Sequence, residues 1–68
     1  MEYTVIVERG PDNLSAYVPD LPGCIATAAT LDELKSVMRE AIRMHIELAG
    51  QHGEAVPLPS STAIRVAI

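Results

Sequence analysis

The stretch Tyr17-Val18-Pro19-Asp20-Leu21-Pro22-Gly23-Cys24 decides how this 68-residue chain folds. Pro19 ends the strand pattern before it, because proline has no amide hydrogen to donate to a sheet ladder. Pro22 fixes a second φ angle, and the glycine beside it tolerates the sharp bend of a tight turn. The stretch therefore predicts a stiff chain reversal, shaped by Pro19, Asp20, Pro22 and Gly23.

Strand-like segments lie on both sides of this turn. Leu14–Val18 alternates apolar with small or polar residues, and Cys24–Ala28 forms a third short apolar segment. Further upstream, Tyr3–Glu8 is rich in β-branched residues and stops at the turn formers of Arg9–Asn13. Three strands joined by short loops predict an antiparallel meander.

The hydrophobic period changes at Thr30. Thr30-Leu31-Asp32-Glu33 matches a capping box, in which the threonine hydroxyl accepts from the amide three residues later. Glu33, Glu40 and Glu47 occupy the stripe opposite the apolar one, and Gly50 is expected to end the helix in a left-handed conformation. The residues assigned to the apolar stripe are Leu31, Leu34, Val37, Met38, Ala41, Ile42, His45, Leu48 and Ala49.

The carboxyl-terminal part completes the predicted architecture. Gln51–Ser61 contains two prolines and reads as a loop, and Thr62–Ile68 returns to strand composition. The prediction is an α+β fold of order β-β-β-α-β in a single domain of residues 1–68, with a right-handed helical crossover. One helix covers one face of the sheet, so the other face and the last strand's edge are expected to attract a partner.

Size and charge narrow the function classes. A chain of this length buries only about 60% of its unfolded surface, so its core is marginal, and a homodimer or higher homo-oligomer is expected. The formal net charge is −4, and the five basic residues are scattered along the chain. Direct nucleic-acid binding is therefore not expected, whereas a basic protein partner is electrostatically favoured.

Targeting signals are missing from the sequence. The first residues are already strand-like, no basic segment precedes an apolar one, and no run is long enough to span a bilayer. A single cysteine also suits a reducing compartment. We therefore expect a cytoplasmic protein without membrane contact.

The reactive residue types do not form a recognisable site. Cys24 has no neighbouring cation to activate its thiol and is expected to be buried, and it makes a poor zinc-ligand set with His45 and His52. No catalytic residue, metal or cofactor is predicted. The glutamates of the helix repeat every seven residues, which fits either a solvated exterior or an acidic strip that meets a basic protein.

Three of these segments together resemble the HicB family of antitoxins. They are the Tyr17–Cys24 stretch, the capping box from Thr30 to Glu33, and Glu40-Ala41-Ile42, within a similarity from Tyr3 to about Glu47. The resemblance implies a partial RNase H-like sheet and a partner, HicA, which is a small basic mRNA-cleaving toxin. It implies a non-enzymatic protein that binds and neutralises this toxin, and the expected contacts are Glu33, Glu40 and Glu47.

The resemblance also has a limit. Family members often continue into a segment that binds their own operator, whereas this chain stops at Ile68, so no C-terminal DNA-binding domain is expected. Two alternatives stay open. One is a stand-alone structural homo-oligomer without a toxin. The other is a metal-dependent nuclease with an RNase H-like fold, whose nearest candidate ligands are Asp20, Glu8 and Glu40.

Overall fold

A computed structural model describes residues 1–68 and contains three strands followed by one helix. The strands pair antiparallel in the order β1-β2-β3, which confirms the predicted meander and an α+β fold. The elements are β1 (Ile6–Arg9), β2 (Leu14–Tyr17), β3 (Ile25–Ala28) and α1 (Leu31–Gln51).

The register decides which residues share a face of the sheet. Ala16 of β2 lies opposite Val7 of β1 and Ala26 of β3. Ala16 belongs to the core that the helix covers, so this row marks the helix side. Because successive side chains alternate, the neighbouring row of Ile6, Tyr17 and Ile25 lies on the open face.

The helix covers the sheet unevenly. It packs against β3 and β2, where small residues such as Ala16 and Ala28 let it approach, and it does not pack against β1. Val37 and Leu48, which the helical spacing placed on the apolar stripe, are 41% and 50% exposed. Val37 is four residues after Glu33, so it lies at the border of the apolar stripe, on the side of the helix that carries the glutamates. The buried core consists of Leu14, Ala16, Val18, Leu21, Cys24, Ala28, Leu34 and Met38.

The turn after β2 contributes to this core. Leu21 is completely buried, and backbone hydrogen bonds from Leu21 to Val18 (3.1 Å) and from Cys24 to Leu21 (3.0 Å) close the turn. Gly23 has a φ of +84°, a conformation that favours glycine. The turn is thus a packed part of the domain as well as a connection.

The helix begins as the sequence predicts and ends later. The Glu33 amide donates to the Thr30 hydroxyl at 3.2 Å, which confirms the threonine cap. The predicted cap glycine is wrong: Gly50 lies inside the helix, and Gly53 has the positive φ of +68°. The Glu54 amide donates to the Ala49 carbonyl and that of Gly53 to the Gly50 carbonyl, the pattern of a Schellman cap.

The predicted fourth strand is not formed in the single chain. Thr62–Ile68, which we call the tail, pairs with no strand, and Ile64 and Val66 are 80% and 73% exposed. Strand composition creates a tendency to pair, and a ladder forms only where a neighbouring edge is within reach. The sheet of the single chain therefore has three strands.

Candidate functional site

Asp20 ties the turn to a segment forty residues later in the chain. Its carboxylate accepts hydrogen bonds from the backbone amides of Ser60 and Ser61, both at 3.0 Å. The hydroxyl groups of Ser60 (3.0 Å) and Ser61 (2.8 Å) donate to the other oxygen. The two amides and the Ser61 hydroxyl stabilise the charged form and lower the pKa of Asp20 from 3.8 to about 2. We call this arrangement the Asp20 clamp.

Two further hydrogen bonds hold the same segment against the start of the chain. The Tyr3 hydroxyl donates to the Pro57 carbonyl, and the Thr4 hydroxyl donates to the Ser61 carbonyl, both at 2.7 Å. Together with the Asp20 clamp they fix the chain just before the tail begins. The sequence does not predict these contacts, because two adjacent serines after a proline-rich loop are common in proteins and do not indicate a distant partner.

The predicted contact residues lie on the outer side of the helix. Glu33, Glu40 and Glu47 are all exposed, and Val37 and Met44 lie between them. Offsets of four, seven, eleven and fourteen residues from Glu33 place all five on one side of a helix, over a length of about 21 Å. We call these five residues the helix stripe.

The helix stripe combines charge with exposed apolar surface. Val37 is 41% exposed and Met44 is 58% exposed. Arg43 approaches Glu40 at 3.4 Å, an exposed ion pair of little energetic weight. The glutamates are otherwise available to an external cation.

A second exposed surface crosses the open face of the sheet. Ile6, Tyr17 and Ile25 lie side by side in register on the three strands, and Tyr17 and Ile25 are 41% and 71% exposed. This row is apolar and carries no charge. It is a protein-contact candidate that the sequence indicated only as an uncovered face.

An apolar groove of about 530 Å³ runs between β1 and the helix. It exists because the helix packs on β2 and β3 and leaves β1 uncovered. Val5 and Val7 line it from the sheet side, and Leu34, Met38 and Ile42 line it from the helix side.

The residues proposed for nuclease chemistry are not brought together. Asp20 is engaged by the two serines, Glu40 lies beside Arg43, and Glu8 is on β1. No group of three or more histidine, cysteine, aspartate or glutamate side chains is placed to hold a metal ion. Cys24 is buried as predicted, and burial raises the pKa of its thiol, so the thiol stays protonated.

The helix does not have the composition of a membrane span. The 21-residue helix carries charged residues along its length and is not apolar enough to cross a bilayer.

Comparison with known proteins identifies the family. The model of the HicB-like antitoxins of bacterial toxin-antitoxin systems matches residues 3–67, which is nearly the whole chain. This chain belongs to the HicB-like antitoxin family. The match confirms the resemblance seen in the Tyr17–Cys24 stretch and extends it through the helix and most of the tail.

Relatives of this HicB-like chain come from archaea and from a phage. A UPF0150 protein of Thermoplasma acidophilum is 37% identical over 67 residues, covering 97% of both chains. A UPF0150 protein of Archaeoglobus fulgidus is 37% identical over 49 residues, covering 71% of both. A 14.9 kDa protein from the rep-hol intergenic region of Haemophilus phage HP1 is 37% identical over 57 residues, but the match spans only 43% of its length.

Proposed function

We propose that this chain is a cytoplasmic, non-enzymatic antitoxin that binds a small, basic, HicA-like mRNA-cleaving toxin and blocks it. The observation that carries the proposal is the family match over residues 3–67. The helix stripe also supports the proposal, because its exposed carboxylates can bind a basic protein partner.

The composition of the helix stripe suits a protein interface. Protein interfaces place apolar contacts at the centre and charges around them, and complementary charge speeds association and orients the partner. Here Val37 and Met44 supply apolar contact, while Glu33, Glu40 and Glu47 supply negative charge on a chain of net charge −4. The helix is already ordered before binding, so binding costs it little conformational entropy.

The same stripe offers a direct route to inhibition. A protein that cleaves RNA must neutralise backbone phosphates with lysine and arginine side chains. Three carboxylates spaced over about 21 Å can occupy such cations in place of phosphates. The antitoxin would then compete with RNA for the surface that the toxin needs.

The test measures binding to the product of a short, basic neighbouring gene. A triple variant with Glu33, Glu40 and Glu47 changed to Gln keeps the size of each side chain and removes three charges. If each pair contributes about 0.5–1 kcal/mol, affinity falls by roughly 10- to 150-fold. The loss should shrink as salt is raised, because exposed charges are screened.

A matched control carries the same change of charge elsewhere. Glu8→Gln, Asp12→Asn and Glu54→Gln alter three exposed carboxylates outside the helix stripe. This variant should bind within about threefold of the unaltered chain. Equal losses in the two triple variants would mean that only total charge matters. An unaffected stripe variant together with a weakened Ile25→Ser variant would move the interface to the open face of the sheet.

The proposal also covers the domain organisation, the oligomeric state and the type of sheet. We propose that residues 1–68 form one domain, that the chain self-associates as a homodimer or higher homo-oligomer, and that its sheet is a partial RNase H-like one. Pro19, Asp20, Pro22 and Gly23 are assigned to shaping the turn. The exposed tail favours self-association on its own account, so a homo-oligomer without a toxin is the function that would remain if the neighbouring gene product did not bind.

A further inference from the structure

The tail is an apolar, strand-like segment without a partner. Ile64, Val66 and Ile68 alternate with Ala63, Arg65 and Ala67, so an extended tail sends its three branched side chains to one side. Ile64 and Val66 are 80% and 73% exposed, and Ile68 is fully exposed. Such a segment is unusual on the surface of a monomeric protein.

The whole chain exposes more surface than a compact protein of its mass. The molecule exposes 5349 Å², whereas a compact protein of 7.3 kDa exposes about 4,200 Å². Its radius of gyration is 13.1 Å, whereas about 11 Å is typical for 68 residues. Seven extended residues carry roughly 1,000 Å² of surface, so the excess is about the area of the tail.

The groove between β1 and the helix lies at an unpaired edge of the sheet. β1 pairs with β2 only, so its other edge offers free backbone groups. A strand added at that edge would direct alternate side chains under the helix, toward Val5, Val7 and Met38. The groove is about 530 Å³ in volume, and no residue of the chain's own tail lines it.

We propose that the tail of one copy pairs with the free edge of β1 in a second copy and places Ile64, Val66 and Ile68 in the groove of that second copy. The tail of the second copy binds the first copy in the same way. The inference rests on the self-association part of the proposed function and is independent of the toxin.

The second copy is the occupant that the areas favour. If each tail buries about half of its roughly 1,000 Å² against an equal area of the groove, a reciprocal exchange buries about 2,000 Å² in total. Stable specific interfaces bury about 1,200–2,000 Å². The Asp20 clamp fixes the chain at Ser60 and Ser61, so the tail leaves the domain from a defined point. A fixed starting point lowers the entropy that ordering the tail costs.

The first test compares two single-charge variants in the full chain by sedimentation. Val66→Asp places a carboxylate on the apolar side of the tail, and Ala67→Asp places one on the other side. Both residues are exposed in the single chain, so neither change disturbs its core. The unaltered chain and Ala67→Asp should sediment at twice the 7.3 kDa chain mass. Val66→Asp should raise the dimer dissociation constant at least about 100-fold, with an unchanged helical signal in circular dichroism.

A cross-linking test identifies the occupant. One tagged chain carries Val66→Cys, a second carries Val7→Cys, and both carry Cys24→Ser so that no other thiol reacts. After mixing, a short bis-maleimide should join the two different chains. A third chain carries both Val7→Cys and Val66→Cys. At high dilution a cross-link within this chain would show that the tail reaches its own groove instead.

Each outcome has one meaning. Cross-links between the two tagged chains, with loss of the dimer in Val66→Asp, support the exchange. A dimer that survives Val66→Asp and gives no such cross-link overturns the exchange and leaves self-association standing. A monomeric unaltered chain overturns both, and an intrachain cross-link then assigns the groove to the chain's own tail. If Val66→Asp abolishes toxin binding by a monomer, the tail belongs to the toxin interface and the exchange is wrong.

Discussion

Leu21 gives the sharpest test of how the turn supports the fold. This leucine belongs to a turn between two strands, yet it is completely buried in a core of only eight residues. Replacing a buried leucine by alanine costs about 2–5 kcal/mol, through lost burial and the cavity that remains. A domain of this size has a total stability of roughly 3–10 kcal/mol. Leu21→Ala should therefore remove at least about a fifth of the stability.

The assay is thermal unfolding followed by circular dichroism at a fixed chain concentration. For a domain of 60 to 100 residues, about 1 kcal/mol shifts the Tm by roughly 4–8 °C, so Leu21→Ala should lower it by at least about 8 °C. Leu58→Ala is the matched control, because this leucine is 74% exposed. The control should stay within about 0.5 kcal/mol of the unaltered chain. If the two variants melted within a few degrees of each other, Leu21 would not be part of the core.

Three further predictions concern the turn, the cap and the Asp20 clamp. Gly23→Val should destabilise the domain by about 1–2 kcal/mol, measured by urea unfolding, because valine resists a φ of +84°; an unchanged midpoint would reject the strain. Thr30→Ala should cost about 1 kcal/mol through loss of the cap, whereas Thr30→Ser should cost little, and equal losses would contradict the hydrogen bond. The lowered pKa of Asp20 means that the clamp's contribution is complete above pH 3.8 and is lost as the pH falls through about 2. The protection factors of the Ser60 and Ser61 amides against hydrogen exchange should fall as the pH drops through about 2, and they should also fall at neutral pH in Asp20→Asn. Protection factors that stay unchanged at about pH 1 would contradict this.

The parts of the fold that the sequence predicted are those encoded locally. The turn residues from Pro19 to Gly23 and the change of period at Thr30 each act within a few positions, so they indicate three strands and a capped helix directly. The spacing of Glu33, Glu40 and Glu47 also places them on the exposed side of the helix, where the structure has them.

The parts that the sequence did not predict depend on distant neighbours. The Asp20 clamp joins positions forty residues apart, and no local pattern announces it. Both Gly50 and Gly53 suit a helix end, and the buried contact of Ala49 favours the later one. The tail has strand composition, but a strand requires an adjacent edge, and the single chain does not bring its tail to one. Val37 looked like a core residue because its spacing puts it at the border between the apolar stripe and the glutamates, where periodicity does not decide burial.

The most direct test of the proposed function is inhibition of RNA cleavage. The product of the short, basic neighbouring gene would be purified and its cleavage of mRNA measured while this chain is added in increasing amounts. The account predicts that cleavage stops near an equimolar ratio, and that the triple glutamine variant of Glu33, Glu40 and Glu47 requires a clear excess. Undiminished cleavage in the presence of excess antitoxin would contradict it.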